Sequence, residues 1–149
     1  MKFKGTGVAL VTPLTKKLEI DFKGLRKLLQ HVSDDVEYLV VQGTTGESPT
    51  MSSSEKEEIL NFVIENNVKD LPIVYGIGGN NTSLLLEQIS ATDLSSVDAL
   101  LSVSPYYNKP SQSALISHYS MIADKSPVPI ILYNVPGRTA SNLSADTTL

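Results

Sequence analysis

The sequence predicts an α/β fold in which parallel strands alternate with crossover helices. The first observation is that short apolar runs without alternating polarity are separated by segments whose apolar residues recur at helical spacing. The second is that this strand–helix order repeats along the chain. Strands that are apolar on both faces are typical of a parallel sheet covered by helices.

The first two strand–helix units have clear signals at their boundaries. Residues 7–12 form an apolar run that predicts the first strand, and Asp21 is suited to cap the helix that follows. A second strand is predicted over residues 38–41. Ser52 and Glu55 then have the spacing of a capping box ahead of a second helix.

The same alternation continues to the end of the chain. Further strands are predicted over residues 71–77, 97–104 and 129–135, and further helices over residues 80–94 and 110–123, with the cap of a fifth helix at 142–144.

Two architectures share this alternation, the doubly wound sheet and the (β/α)8 barrel. The segments that follow the predicted strands, such as QGTTGES, SPYYNKPS and YNVPGRT, carry hydroxyls, amides and an arginine, whereas the helix-to-strand connections are plain. This asymmetry favours a barrel, whose chemistry lies on the loops after its strands. A complete barrel needs roughly 200–250 residues. We therefore expect residues 1–149 to be the N-terminal part of a single TIM-barrel domain, truncated before the sixth strand.

The composition argues against several classes of protein and of site. The formal charge is −4 and lysine and arginine are not clustered, which argues against a nucleic-acid partner. The absence of cysteine excludes disulfides, zinc–thiolate sites and thiol nucleophiles. No apolar run is long enough to span a membrane. We expect a cytoplasmic protein without a metal or another cofactor.

Two segments at strand ends each allow more than one interpretation when they are considered without the rest of the chain. GTTGE, with Thr44 and Thr45, is either a polar turn or a turn whose N–H groups and hydroxyls bind a carboxylate. The adjacent Tyr106 and Tyr107 are more often buried structural aromatics, and strand geometry would point them to opposite sides.

The segment with Tyr133 and Arg138 points more strongly to chemistry. A tyrosine at a strand end both donates and accepts protons, and an arginine beyond a Pro-Gly turn offers a fork for a carboxylate.

Three motifs together resemble one family. GTTGES at 43–48, PYYNKPS at 105–111 and YNVPGRT at 133–139, in this order and spacing, are similar to dihydrodipicolinate synthases, the lysine-pathway branch of the pyruvate-dependent class I aldolases. The resemblance extends over the whole chain. It implies a (β/α)8 barrel, usually a homotetramer, and a lyase of lysine and diaminopimelate biosynthesis. Such an enzyme condenses pyruvate with aspartate semialdehyde through a Schiff base on a lysine.

The resemblance also implies roles for individual residues. Thr45 and its neighbouring amides would bind the carboxylate of pyruvate. Thr44, Tyr107 and Tyr133 would form a proton relay, with Tyr107 offered to the site of a neighbouring subunit. Arg138 would bind the carboxylate of the semialdehyde.

Two departures from the family pattern follow. The Schiff-base lysine of the family lies on the sixth strand and is not in this chain, so the isolated chain is expected to be inactive. The groove through which lysine inhibits some family members is represented by Ser48, Asn80 and Tyr106. However, Lys56 stands at the position of a usual histidine and Leu84 at that of a usual glutamate. We expect an enzyme that is insensitive to lysine.

Two alternatives to the synthase stay open. One keeps the pyruvate chemistry with another aldehyde, as in an N-acetylneuraminate lyase or a keto-deoxy sugar acid lyase. The other is a non-catalytic half barrel that binds a small carboxylate.

Overall fold

A computed structural model of the protein describes residues 3–148. This part of the chain alternates five strands with helices. The strands are β1 (Gly7–Ala9), β2 (Tyr38–Val41), β3 (Ile73–Gly76), β4 (Ala99–Val103) and β5 (Ile130–Tyr133). The helices are α1 (Phe22–Val32), α2 (Ser53–Asn66), α3 (Thr82–Ala91), α4 (Gln112–Lys125), α5 (Pro136–Thr139) and α6 (Ala145–Thr148). The predicted order of elements is therefore confirmed.

The chain divides into two compact units. The first contains residues 3–76 together with Ser96–Asp98, and the second contains Ile77–Ser95 with residues 99–148. β1, β2 and β3, with α1 and α2, belong to the first unit, and the remaining strands and helices belong to the second.

In the first unit β2 lies between two parallel neighbours. Leu39 pairs with Val8 of β1 on one side and with Ile73 of β3 on the other. Leu39, Val41 and Val74 are almost completely buried, as expected of strands in a covered parallel sheet. The strands therefore end at a common edge, where the loop after β2 begins.

The two helices of this unit begin where local chemistry predicts. The Asp21 carboxylate accepts a hydrogen bond of 2.9 Å from the N–H of Gly24 and caps α1. At α2, Ser52 and Glu55 form the predicted capping box, in which each side chain accepts a hydrogen bond from the other's backbone N–H.

In the second unit β4 and β5 pair in parallel, with Leu100 opposite Ile130. The helices α3 and α4 pack against each other. Buried Leu85 of α3 and buried Leu115 and Ile122 of α4 contribute to the core of this unit.

Four strands and α3 are shorter than predicted, and two further differences concern the segments near the candidate site. α4 begins at Gln112, because the side chain of Ser111 caps it, so Pro110 lies outside the helix. The segment after β5 contains a short helix, α5, that the sequence did not predict. Within residues 3–148 the structure has no helix with the length and apolar character needed to cross a membrane.

Candidate functional site

The loop after β2 presents two threonines. Gly43 precedes a short 3-10 helix, Thr44–Gly46, whose first turn has no side-chain cap. Thr44 and Thr45 are exposed. Since the first N–H groups of a helix have no partner within the helix, this turn offers donors beside two hydroxyls. Such a set of groups suits a small carboxylate.

Two buried contacts with distant parts of the chain hold this loop in place. The hydroxyl of Thr12, a residue 34 positions earlier, donates a hydrogen bond of 2.8 Å to the backbone oxygen of Gly46. A Cβ atom at Gly76 would lie 2.1 Å from the backbone oxygen of Gln42, so only glycine fits at the end of β3. Thr12 and Gly76 are thus supports of the loop that sequence reasoning missed.

Gln42 is a third support and has an unusual conformation. Its φ is 59°, in the left-handed region, and its side chain is buried. The side-chain amide donates to the sulfur of Met51 at 3.4 Å, whereas its Oε1 atom is buried without a hydrogen-bond partner in the described structure. A lone glutamine after an apolar run is the only sequence signal for this role.

The loop after β4 presents Tyr107 to solvent. This side chain is 89% exposed and its φ is 76°. The expectation of a buried structural aromatic is therefore wrong for Tyr107. Its neighbour Tyr106 is half-buried, and the backbone oxygen of Tyr106 accepts a hydrogen bond of 3.2 Å from the Asn80 amide. Because φ is positive at Tyr107, the loop bends away from the extended path that would have alternated the two tyrosines.

The end of β4 is held to α4 by polar contacts. The Tyr119 hydroxyl lies 3.1 Å from the Ser104 hydroxyl and donates a hydrogen bond of 3.2 Å to the backbone oxygen of Ser102. All three residues are buried. This anchor fixes the strand end from which the tyrosine loop begins.

The segment after β5 carries the arginine. Tyr133 is the last residue of β5 and is half-buried. Its backbone oxygen accepts a hydrogen bond of 3.2 Å from the N–H of Ser104, which joins the ends of β4 and β5. Arg138 is exposed on α5. The second unit therefore brings the tyrosine loop and the arginine segment to the carboxyl ends of two paired strands.

The candidate residues are distributed over both units. The first unit carries Thr44, Thr45, Ser48 and Lys56, and the second carries Asn80, Leu84, Tyr106, Tyr107, Tyr133 and Arg138. Among these residues, the structure shows direct contact between Asn80 and Tyr106. Lys56 is half-buried on α2, and desolvation lowers its pKa. Leu84 is 58% exposed on α3.

Two kinds of reactive group, a lysine on a strand and a cluster of metal ligands, are absent from the described residues. None of the five described strands contains a lysine. Residues 3–148 contain no group of three or more histidine, aspartate or glutamate side chains that could hold a metal ion.

Comparison with known proteins gives concordant matches. The sequence model of the dihydrodipicolinate synthetase family matches residues 2–149. The chain is 52% identical over 148 residues to a 4-hydroxy-tetrahydrodipicolinate synthase of Flavobacterium psychrophilum, covering 99% of this chain and 50% of the relative. It is 48% identical to the corresponding protein of Cytophaga hutchinsonii, with the same two coverages. The chain thus spans about half the length of these curated relatives.

The fold agrees with solved structures as well. A crystal structure of a dihydrodipicolinate synthase from Bacillus anthracis matches with a TM-score of 0.92 and 40% identity, over 99% of this chain and 51% of that chain. The predicted fold class is confirmed: the five strands with their helices correspond to the N-terminal half of a (β/α)8 barrel.

Proposed function

Because the chain belongs to the dihydrodipicolinate synthetase family, we propose that it forms the N-terminal part of an enzyme that condenses pyruvate with aspartate semialdehyde. The reaction passes through a Schiff base on a lysine and gives 4-hydroxy-tetrahydrodipicolinate, a step of lysine and diaminopimelate biosynthesis. The observation that carries this proposal is the 52% identity to a named synthase over almost the whole chain. The groups at the ends of β2, β4 and β5 support it.

Pyruvate would bind at the loop after β2. The Gly46 N–H is bonded to the backbone oxygen of Gly43, so the donors of this turn are the N–H groups of Thr44 and Thr45. With the Thr45 hydroxyl they would bind the carboxylate of pyruvate. The supports from Thr12 and Gly76 keep this turn in one conformation. A turn that is already in place reduces the ordering cost of binding.

The proton relay and the second substrate would involve the other unit. Three side chains carry hydroxyl groups that would pass protons during Schiff-base formation and the following condensation: Thr44, Tyr107 and Tyr133. Tyr107 stands 89% exposed on a bent loop, which suits a side chain offered to the site of a partner subunit. Arg138 is exposed and would bind the carboxylate of the semialdehyde through its planar fork.

Formation of the Schiff base needs a lysine amine, and none of the described strands provides one. The amine would attack the keto carbon of pyruvate, and water would leave as the Schiff base forms. Residues 1–149 would then lie within a single barrel domain that a lysine-bearing segment completes. The whole enzyme would be a cytoplasmic homotetramer.

The test joins this chain to the missing half of a relative. Residues 1–149 are fused to the C-terminal half of the Flavobacterium psychrophilum synthase, and the fusion is incubated with pyruvate and borohydride. We expect a pyruvate-sized mass gain on one lysine of the added half, and turnover with aspartate semialdehyde. The isolated chain, checked for folding by circular dichroism, should show no adduct.

Two results would decide against the proposal. A specific adduct on a lysine of the isolated chain would show that the essential amine lies within it. A folded fusion that cleaves N-acetylneuraminate but does not condense aspartate semialdehyde would favour a sugar-acid lyase. As an internal check, Tyr133→Phe should lower kcat by roughly 10²–10⁴-fold, the usual contribution of general acid–base catalysis.

A further inference from the structure

One glutamine connects the two loops of the second unit that carry proposed reacting groups. Gln112 is the first residue of α4 and directly follows the loop that bears Tyr107. Its Nε2 atom donates a hydrogen bond of 2.8 Å to the backbone oxygen of Asn142. Its Oε1 atom accepts one of 3.1 Å from the N–H of Ser144 and another from the hydroxyl of Thr147. The start of α4 is thereby bonded to the segment beyond α5.

Asn134 closes the same segment from its other end. It directly follows β5, and its Nδ2 atom donates a hydrogen bond of 2.7 Å to the side-chain oxygen of Asn142. Its Oδ1 atom accepts one of 3.2 Å from the N–H of Leu143. Residues 134–143 therefore form a closed loop, and Arg138 lies in the middle of it.

The chemistry at position 112 calls for an amide. The side chain faces both a backbone carbonyl, which needs a donor, and a backbone N–H, which needs an acceptor. Among side chains of this length, glutamine supplies both at once. A glutamate would keep the acceptor and turn a second acceptor towards the Asn142 carbonyl.

The loop depends on this closure for its shape. α5 has four residues, far fewer than a helix needs to be stable alone. Ala140, which caps the end of α5, has a φ of 55° that is unfavourable for a residue with a side chain. A Cβ atom at Gly137 would have no neighbour within 4 Å, so α5 is not packed on that side. Its other side is held by Thr139, which is 1% exposed and whose hydroxyl donates to the backbone oxygens of Val135 and Ser141. The direction of Arg138 therefore depends on this anchor together with the bonds that tie the two ends of the loop.

We propose that Gln112 and Asn134 are positioning residues that aim Arg138 at the carboxylate of the second substrate, and that Gln112 couples this aim to the Tyr107 loop. The inference rests on the proposed function, which gives Arg138 its carboxylate. The two amides act through the arginine and do not touch the substrate.

The kinetic test uses the fusion described above. Gln112→Ala should raise the KM for aspartate semialdehyde about tenfold, while the KM for pyruvate and the extent of borohydride trapping stay unchanged. Gln112→Glu keeps the acceptor and loses the donor. Its KM for aspartate semialdehyde should lie between the values of Gln112→Ala and of the unchanged fusion. Gln30→Ala, on an exposed position of α1, is the matched control and should alter neither KM.

Hydrogen exchange on the isolated chain tests the closure without any assay of activity. Gln112→Ala should speed exchange at Ser144 and also at Arg138 and Ala140, whose N–H groups bond within the loop. Faster exchange at Ser144 alone, with Arg138 unchanged, would show that Gln112 only anchors α6 and would overturn the inference. An equal rise in both KM values would overturn it as well. A folded fusion that condenses nothing would instead contradict the proposed function, and the role of Gln112 would fall with it.

Discussion

At the scale of single residues, His118 has one ring nitrogen with a hydrogen-bond partner and one without a partner among the described residues. Its Nδ1 atom lies 2.8 Å from the Thr82 hydroxyl, which joins α4 to α3. Its Nε2 atom is buried without a hydrogen-bond partner among the described residues. Burial lowers the pKa of this imidazole below its ordinary value of 6.5. The folded protein therefore favours the neutral ring.

This arrangement predicts a loss of stability in mild acid. As pH falls through 6.5 the unfolded chain binds a proton at His118 before the folded chain does, so the free energy of unfolding decreases. The decrease is at most about 1.4 kcal/mol for each pH unit between the two pKa values. Urea unfolding of this chain between pH 8 and pH 5 measures it.

Comparison of the wild type with one variant isolates the effect of His118. His118→Gln should flatten the pH dependence between pH 7 and pH 5. Asp34, Glu55 and Asp93 have pKa values lowered by hydrogen bonds, so their contributions are lost only below their ordinary values of 3.8 to 4.5. An identical slope in wild type and His118→Gln would show that the imidazole does not titrate differently on folding.

Residue identity suggests part of the candidate site. The sequence singles out Tyr133 and Arg138 because a strand-end tyrosine and an arginine after a turn have side chains suited to proton transfer and carboxylate binding. Thr12, Gln42 and Gly76 were missed because their roles come from contacts between distant segments, such as the bond from Thr12 to Gly46. A positive φ at Gln42 or Tyr107 has no signal in a sequence, since neither residue type prefers that region.

At the scale of elements, the helices were predictable where their start signals are local. The α2 box forms as its spacing indicates, and α1 begins beside Asp21. α5 was not predicted because a four-residue helix containing glycine has little intrinsic stability and depends on the closure of its loop. The bounds of β2 match the prediction, whereas the other four strands are shorter than predicted, because apolar residues such as Leu10 and Val97 lie beyond the paired residues.

The capping box of α2 gives a stability prediction. Ser52→Ala removes the acceptor for the N–H of Glu55 and one partner of the Glu55 carboxylate, so we expect a loss of about 1 kcal/mol in the free energy of unfolding. Chemical denaturation measures the loss, and Ser53→Ala, one position further along the helix, is the matched control. Equal stability of the two variants would contradict a stabilising role for the box.

At the scale of the whole molecule, the resemblance to the family leads to a prediction about inhibition by lysine. Lys56 of α2 is half-buried, and its lowered pKa reflects desolvation of a cation. Leu84 of α3 is 58% exposed and brings an apolar side chain where family members inhibited by lysine are expected to have a carboxylate. A lysine effector would meet a like charge and would lack a partner for its ammonium group.

We therefore predict that lysine does not inhibit the fusion of this chain with the C-terminal half of its relative. Condensation is measured against lysine up to millimolar concentrations, and inhibition of the unchanged fusion would refute the prediction. The double variant Lys56→His with Leu84→Glu should gain inhibition, because it removes the repelling cation and adds a carboxylate. Leu84→Gln in place of Leu84→Glu has a similar shape without the charge. If lysine inhibits both double variants equally, then the shape of the side chain at position 84, and not its charge, determines lysine binding.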